Sequence, residues 1–375
     1  MKNRNTRKWL LLGGRLAGCT FDLFETVAEL GGVDVRFLHS PLDDLPSYQH
    51  ERTGGISSGR LWWEEAGWYQ IREFVRDPTP DVAFVYGNHP RIKMAYALSC
   101  LPGSVPVYYV ADTNIAKLAA SGGKTLVRRI ACLQVATRAA AALSLGQSNR
   151  LALQLLGFQR IVDLPALAVD FEALDRAVAK VTPVDFPEPR REITLLVIAR
   201  LVPEKNLPAF VGALAAEPEL VSRVRLIIAG EGPDRPALES IKARSPSLDL
   251  VLLGAVPHAK IGPLFACADA LLLPSRSDAW GAVVVEALGM GLPVIATPEV
   301  GAAVSLAGET QTILLSESAE PRTLLETIRL FGERRAALSG LASMARQAIR
   351  ARYGRPEIAS AHLELVYGPH FKKPE

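Results

Sequence analysis

Two pairs of charged residues in the second half of this 375-residue chain have types and spacings that suit a single ligand. In "ARLVPEKN", Arg200 and Lys205 belong to one loop, and a planar guanidinium fork with an ammonium beside it suits a diphosphate. In "PSRSDAWGAVVVEALGMGLPVIAT", Asp278 and Glu286 stand eight positions apart around a Gly-opened helix. Carboxylates repel phosphate but accept hydroxyls in pairs. The four residues together describe a diphosphate flanked by vicinal diols, which is a nucleotide sugar. Each pair also has a plainer reading: solvated charges at a strand end, and an ordinary exposed helix Glu. Val285, Ala287 and Leu288 argue against the latter, because they make the helix largely buried, where an unpaired acid is costly.

Other loops offer lesser candidates. In "AGEGPDR", glycines flank Glu231 and Pro233 opens a helix, exposing backbone amides to a ligand. In "LGAVPHAK", small residues leave room for a flat ring, and His258 reads as a cap or a solvent-facing residue. "GGRLAG" near the N-terminus places Gly13 and Gly14 after the first strand, as an anion-binding turn ahead of a helix or simply as turn chemistry. It is not GxGxxG, and no acid ends the second strand, so a nicotinamide cofactor is disfavoured.

The elements that must position these loops are short β-branched or Leu-rich runs alternating with amphipathic stretches, the pattern of parallel βαβ units. Strands are expected at "KWLLLG", "VDVRFLH", "DVAFVYG", "VPVYYVA" and "AALSLG", then at "ITLLVIA", "RLIIAG", "LDLVLLG", "ADALLLP" and "LPVIAT". The fold class is therefore α/β, with two doubly wound Rossmann-like domains whose ligand loops follow the strands. "VTPVDFPEPRRE" is the expected linker, giving domains 1–181 and 182–354. Helices are expected near Glu320–Phe331 and Glu333–Tyr353, and "YGRP" starts a last helix that packs back on the first domain, with residues 355–375.

Composition agrees with an ordinary globular chain: 49% hydrophobic and 22% charged residues, net charge +3. Cys19, Cys100, Cys132 and Cys267 lie far apart with no CxxC, which reads as reduced thiols of a cytoplasmic protein. No segment reads as a signal peptide or a membrane span. From Thr113 to Val162 there is no Asp or Glu, while Lys117, Lys124, Arg128, Arg129, Arg138, Arg150 and Arg160 are present. That segment is either a solvated face or one that attracts an anionic membrane or acceptor. No nucleic-acid motif accompanies it, so nucleic acid is not an expected partner.

"ARLVPEKN", "LIIAGEGPDR", "LGAVP" and "PSRSDAWGAVVVEALGMGLPVIAT", in this order, resemble the nucleotide-sugar-binding domain of the retaining glycosyltransferases of family 4, which have the GT-B fold. In the first half, "LGQSNRLALQLLG" resembles that family's strand and helix before the linker. The resemblance implies that Arg200 and Lys205 hold the donor diphosphate, that Glu286 accepts the ribose hydroxyls and that Asp278 meets hydroxyls of the transferred sugar. It also implies that Trp280 and Gly281 present backbone amides to sugar and phosphate and that the nucleobase packs at Val256.

Two departures from the pattern bear on specificity. The first acid is Asp278 where the family has Glu, one methylene longer. After the fourth strand, "YYVADTN" has Ala111 where the family commonly has His. Asp112 beside it either accepts a substrate hydroxyl or caps the helix near Ile115. The implied reaction is metal-independent transfer of a hexose-type sugar from a nucleoside diphosphate to an acceptor hydroxyl, with retention; no DxD is present to hold a metal. The acceptor is a glycan, a lipid-linked molecule or a natural product. "RLWWEEAGWYQIREF", with Trp62, Trp63, Trp68 and Tyr69, is either core or an acceptor and lipid-facing surface. The rival readings are a catalytically silent nucleotide-sugar-binding partner and a GT-B nucleotide-sugar epimerase.

Overall fold

The computed structural model describes residues 6–15, 18–40, 59–87, 92–111, 113, 118, 132, 133, 135–165, 167–180, 191–369 and 371. The chain divides into two units, Met1–Ala168 with Tyr353–Glu375, and Val169–Arg352. The first contains β1 (Arg7–Arg15), α1 (Gly18–Gly31), β2 (Val33–Ser40), β3 (Arg60–Trp62), α2 (Trp68–Arg76), β4 (Val82–Tyr86), α3 (Ile92–Cys100), β5 (Val107–Val110), β6 (Ala139–Ser144), α4 (Gln147–Leu155) and β7 (Ile161–Asp163). The second contains α5 (Phe171–Lys180), β8 (Ile193–Ile198), α6 (Leu207–Ala215), α7 (Pro218–Arg223), β9 (Val224–Ala229), α8 (Arg235–Arg244) and β10 (Asp249–Gly254). It continues with α9 (Gly262–Ala266), β11 (Ala270–Leu273), α10 (Ala282–Gly289), β12 (Val294–Ala296), α11 (Gly301–Thr310), β13 (Ile313–Leu315) and α12 (Pro321–Tyr353). The last helix, α13 (Arg355–Tyr367), belongs to the first unit.

Each unit is an open parallel sheet, ordered β3-β2-β1-β4-β5-β6-β7 in the first and β10-β9-β8-β11-β12-β13 in the second. In both, the first strand stands inside the sheet and the order reverses beside it, at β1/β4 and β8/β11. The α/β class with two Rossmann-like units is as the alternating pattern predicts. β4, β9 and β11 are buried along their whole length, as strands covered on both faces should be, and they read as apolar runs that only Arg225 of β9 interrupts. β3, β7 and β13 were not anticipated. Each is three residues long, too short to show a period.

The structure differs from expectation in three further places. Gly13 and Gly14 lie within β1, with Gly13 opposite Tyr86 of β4 and its carbonyl accepting from Trp63 Nε1 at 2.5 Å, so the strand continues through the supposed turn. α12 is one helix across Gly332. Leu324, Ile328, Phe331 and Leu338 are all buried in the second unit's core, which outweighs the roughly 1 kcal/mol cost of an interior glycine. The division between the units falls at Ala168/Val169, ahead of the proline-rich linker. α5 is claimed by the second unit: Asp175 accepts from Arg350 at 2.7 and 2.8 Å and from Arg346 at 3.0 Å, and the Arg350 guanidinium covers the Phe171 ring. The bonds from Arg350 hold the Asp175 carboxyl below its ordinary range.

α13 packs back on the first unit, against α1. Tyr367 accepts from Trp9 Nε1 at 2.8 Å, Arg355 pairs with Asp22 at 3.4 Å, and Arg7 covers the Tyr367 and Phe371 rings. His362 is fully buried against Phe24 and Phe84. It donates from Nδ1 to Ile358 O, and burial lowers its pKa from 6.5 to about 4. The folded state therefore resists a proton that the unfolded chain accepts, so the stability is fully present above pH 6.5 and is lost as the pH falls towards 4, by up to about 3 kcal/mol. Denaturant titrations at pH 7 and pH 4.5 on the native chain and on His362→Leu should show a smaller loss on acidification in the variant. An equal loss in both would remove His362 as the cause.

Candidate functional site

In a doubly wound sheet the ligand loops converge beyond the carboxyl ends of the strands where the order reverses. In the second unit that point lies between β8 and β11, and the side chains there meet. Lys205 ends a 3-10 turn, Pro203–Lys205, after β8. Its Nζ donates to Asp278 Oδ2 at 2.5 Å, and the two side chains are only 15% and 16% exposed. Asp278 follows β11, and its backbone makes an isolated bridge to Val300. Asn206, in left-handed conformation and buried, donates from Nδ2 to Ala319 O at 2.9 Å, which fixes the turn that presents Lys205.

Backbone bonds hold the surrounding loops as a layer. The β8 loop takes bonds from both sides: Leu201 N donates to Glu231 O, Asp234 N to Leu201 O, and Arg276 N to Glu204 O, at 2.8–2.9 Å. Gly230 makes this possible, since a Cβ there would lie 1.8 Å from Ala199 O. Gly281 opens α10 with φ +81°, and a Cβ on it would press on Val300 at 2.9 Å and approach Asp278 Oδ2 at 3.4 Å. Only glycine adopts that backbone without strain.

Arg200 is exposed, and its guanidinium has no hydrogen-bond or ion-pair partner among the described residues. Glu286, in α10, is 13% exposed, and its Oε1 accepts from His258 Nε2 at 2.9 Å. Val256, half-buried, precedes His258 by two residues on the loop after β10. Trp280 is 4% exposed, and its carbonyl accepts from Ala302 N at 2.7 Å. The arrangement can bind an anion at Arg200 and Lys205 and accept hydroxyls at Asp278 and Glu286, with an apolar wall at Val256.

Residues 181–351 match the model of the family described as glycosyl transferases group 1. The match falls within the second unit. The α-monoglucosyldiacylglycerol synthase of Acholeplasma laidlawii is 33% identical over 105 residues, 28% of this chain and 26% of that protein. The 2-deoxystreptamine glucosyltransferase of Streptomyces kanamyceticus is 27% identical over 225 residues, 58% of each. The first of these matches thus spans about a quarter of its relative. The crystal structure of Anabaena HepE in complex with UDP and glucose superposes with a TM-score of 0.72 at 16% identity, covering 96% of this chain and 99% of that one. The likeness over nearly the whole chain identifies the fold as GT-B.

Within the matched residues stand Arg200, Lys205, Glu231, Val256, Asp278, Trp280, Gly281 and Glu286, every site residue predicted for the second half. The structure brings Lys205 to Asp278 and leaves Arg200 exposed nearby in sequence on the same loop. Glu231 is engaged differently: its Oε2 accepts from Arg235 at 2.7 Å, one helical turn on. Gly13 and Gly14 belong to the other unit's sheet, and Asp112 lies outside the described residues.

Two residues escaped the sequence reading. From the sequence His258 reads as a cap or a solvent-facing residue, and nothing local in "VPHAK" signals a partner 28 residues on. Asn149 lies inside "LGQSNRLALQLLG", buried, and its Nδ2 donates to Ala111 O and Thr113 O at 2.8 and 2.6 Å while its Oδ1 accepts from Leu145 N at 3.0 Å. It ties Ala111 and Thr113, after β5, to the start of α4. In the aromatic segment Trp63 is buried, whereas Trp68 and Tyr69 are 47% and 70% exposed. Trp68, Ile92, Tyr96, Val135 and Arg138 line a cavity of about 670 Å³ in the first unit. No helix among the described residues is long and apolar enough to cross a membrane.

The glycine at 281 sets the site's geometry, and its replacement is measurable. Gly281→Ala should lower the unfolding free energy by about 1–3 kcal/mol, read from chemical denaturation. An unchanged midpoint would show that the left-handed turn before α10 is not required.

Proposed function

We propose that the chain transfers a sugar from a nucleoside diphosphate to an acceptor hydroxyl, with retention of anomeric configuration and without a metal. The observation that carries this reading is the Lys205–Asp278 pair at the β8/β11 reversal, with the exposed Arg200 on the same loop. Lys205 has two N–H groups beyond the one given to Asp278, and with Arg200 they neutralise the charge that develops on the leaving diphosphate. The bond between the anomeric carbon and the diphosphate oxygen breaks, the acceptor oxygen bonds to the same face of that carbon, and the acceptor proton passes to the departing diphosphate. This path needs no side-chain nucleophile, and fixed positive charge supplies most of the acceleration.

Asp278, one methylene shorter than the usual Glu, meets a hydroxyl of the transferred sugar. Glu286 accepts the ribose hydroxyls, and Val256 meets the base. The acceptor is lipid-linked, on two supports: the apolar cavity of the first unit, bordered by the exposed Trp68 and Ile92 and by the Arg138 guanidinium, and the names of relatives that build glycolipids. Such a groove suits an acyl chain with an anionic head near its rim.

The test is slow hydrolysis of UDP-, GDP-, ADP- and dTDP-sugars by the purified chain, read as nucleoside diphosphate released. One donor should be consumed at a rate unaffected by EDTA. Asp278→Asn should lower kcat/KM for that donor at least tenfold while the affinity for the free diphosphate stays within a few-fold. Complete loss on chelation would contradict metal independence, and tight binding with no turnover on any acceptor would favour a silent binding partner. An Asp278→Asn enzyme with unchanged turnover would remove the sugar assignment.

A further inference from the structure

We infer that His258 is a positioning residue for the nucleoside, fixing Glu286 so that its free oxygen meets the ribose hydroxyls; this rests on the proposed nucleotide-sugar reading. Glu286 has three rotatable side-chain bonds, and a carboxylate that must accept two adjacent hydroxyls works only in one orientation. Its surroundings in α10 give it little help: Val284, Val285, Ala287 and Leu288 are apolar and buried. His258 supplies the restraint, with Nε2 at 2.9 Å from Oε1 and with Glu286 only 13% exposed. An ionised carboxylate only accepts hydrogen bonds, so Nε2 carries the proton. Glu286 Oε2 has no partner among the described residues and is left for the ligand.

The loop that carries His258 explains the placement. Gly254, at φ +76°, turns the chain after β10, and Pro257 starts the 3-10 turn His258–Lys260. Val256, at the proposed base position, and His258, at the ribose acid, are thereby two residues apart on one rigid segment. Base and ribose are joined by a single bond, so one loop sets the distance between the surface for the first and the acceptor for the second. Restraining an acceptor before binding raises affinity by lowering the ordering cost.

Calorimetric titrations of the nucleoside diphosphate that binds tightest, and of its 2′-deoxy counterpart, test this on the full chain. The native protein should prefer the ribo form, and His258→Ala should reduce that preference by about tenfold, the loss falling on the ribo ligand alone. His258→Gln, which keeps an N–H near the position of Nε2, should recover most of it. A merely structural role would weaken both ligands together and would not be rescued by Gln, and that result overturns the inference, as does a His258→Ala protein with the native preference. If the native chain binds no nucleoside diphosphate, or binds ribo and deoxy forms equally, the proposed role of Glu286 itself falls and that of His258 with it. Melting curves of both variants guard against misfolding, and the Gln variant still decides if the Ala variant does not fold.

Discussion

The Lys205–Asp278 ion pair spans the reversal of strand order in the second sheet, and the geometry of the site follows from it. Both charges are largely withdrawn from water, where an ion left alone is costly and its partner is strongly destabilising to remove. The pair therefore ties the loop after β8 to the loop after β11. It also keeps an ammonium in place where a diphosphate is proposed to arrive. An anionic ligand completes the neutralisation of charges that Arg200 and Lys205 together leave in excess.

The pair can form only because backbone is allowed to approach backbone. Gly230 lets the loops after β8 and β9 lie in hydrogen-bond contact, and Gly281 turns the chain so that α10 begins beside Asp278. The layer is then closed by amide-to-carbonyl bonds from Leu201, Asp234, Arg276 and Asp278. Lys205 and Asp278 are thus carried on loops whose own conformation is fixed by main-chain bonds, a rigid mounting for a mobile group such as Lys.

Much of this was legible in the residues. The α/β alternation, the long strands, the loop positions of Arg200, Lys205 and Asp278 and the helix position of Glu286 follow from local pattern, because buried parallel strands are largely apolar and their loops are not. What was illegible is pairing at a distance. That Lys205 meets Asp278 across 73 positions, or that His258 meets Glu286, depends on sheet order, which no local period encodes. The same limit hid β3, β7 and β13, and it hid the Asp175–Arg350 bonds that tie α5 to α12, which join residues 175 positions apart. Gly332 misled in the opposite sense: a local helix-breaking signal was overruled by core burial on both sides of it.

The central claim is that Lys205, held by Asp278, binds the diphosphate. It is tested most directly by the affinity of the nucleoside diphosphate relative to that of the nucleoside monophosphate, measured by calorimetry for the native chain and for Lys205→Met. The account predicts that the native chain favours the diphosphate strongly and that Lys205→Met cuts this preference at least tenfold while monophosphate affinity changes much less. An unchanged preference would contradict it.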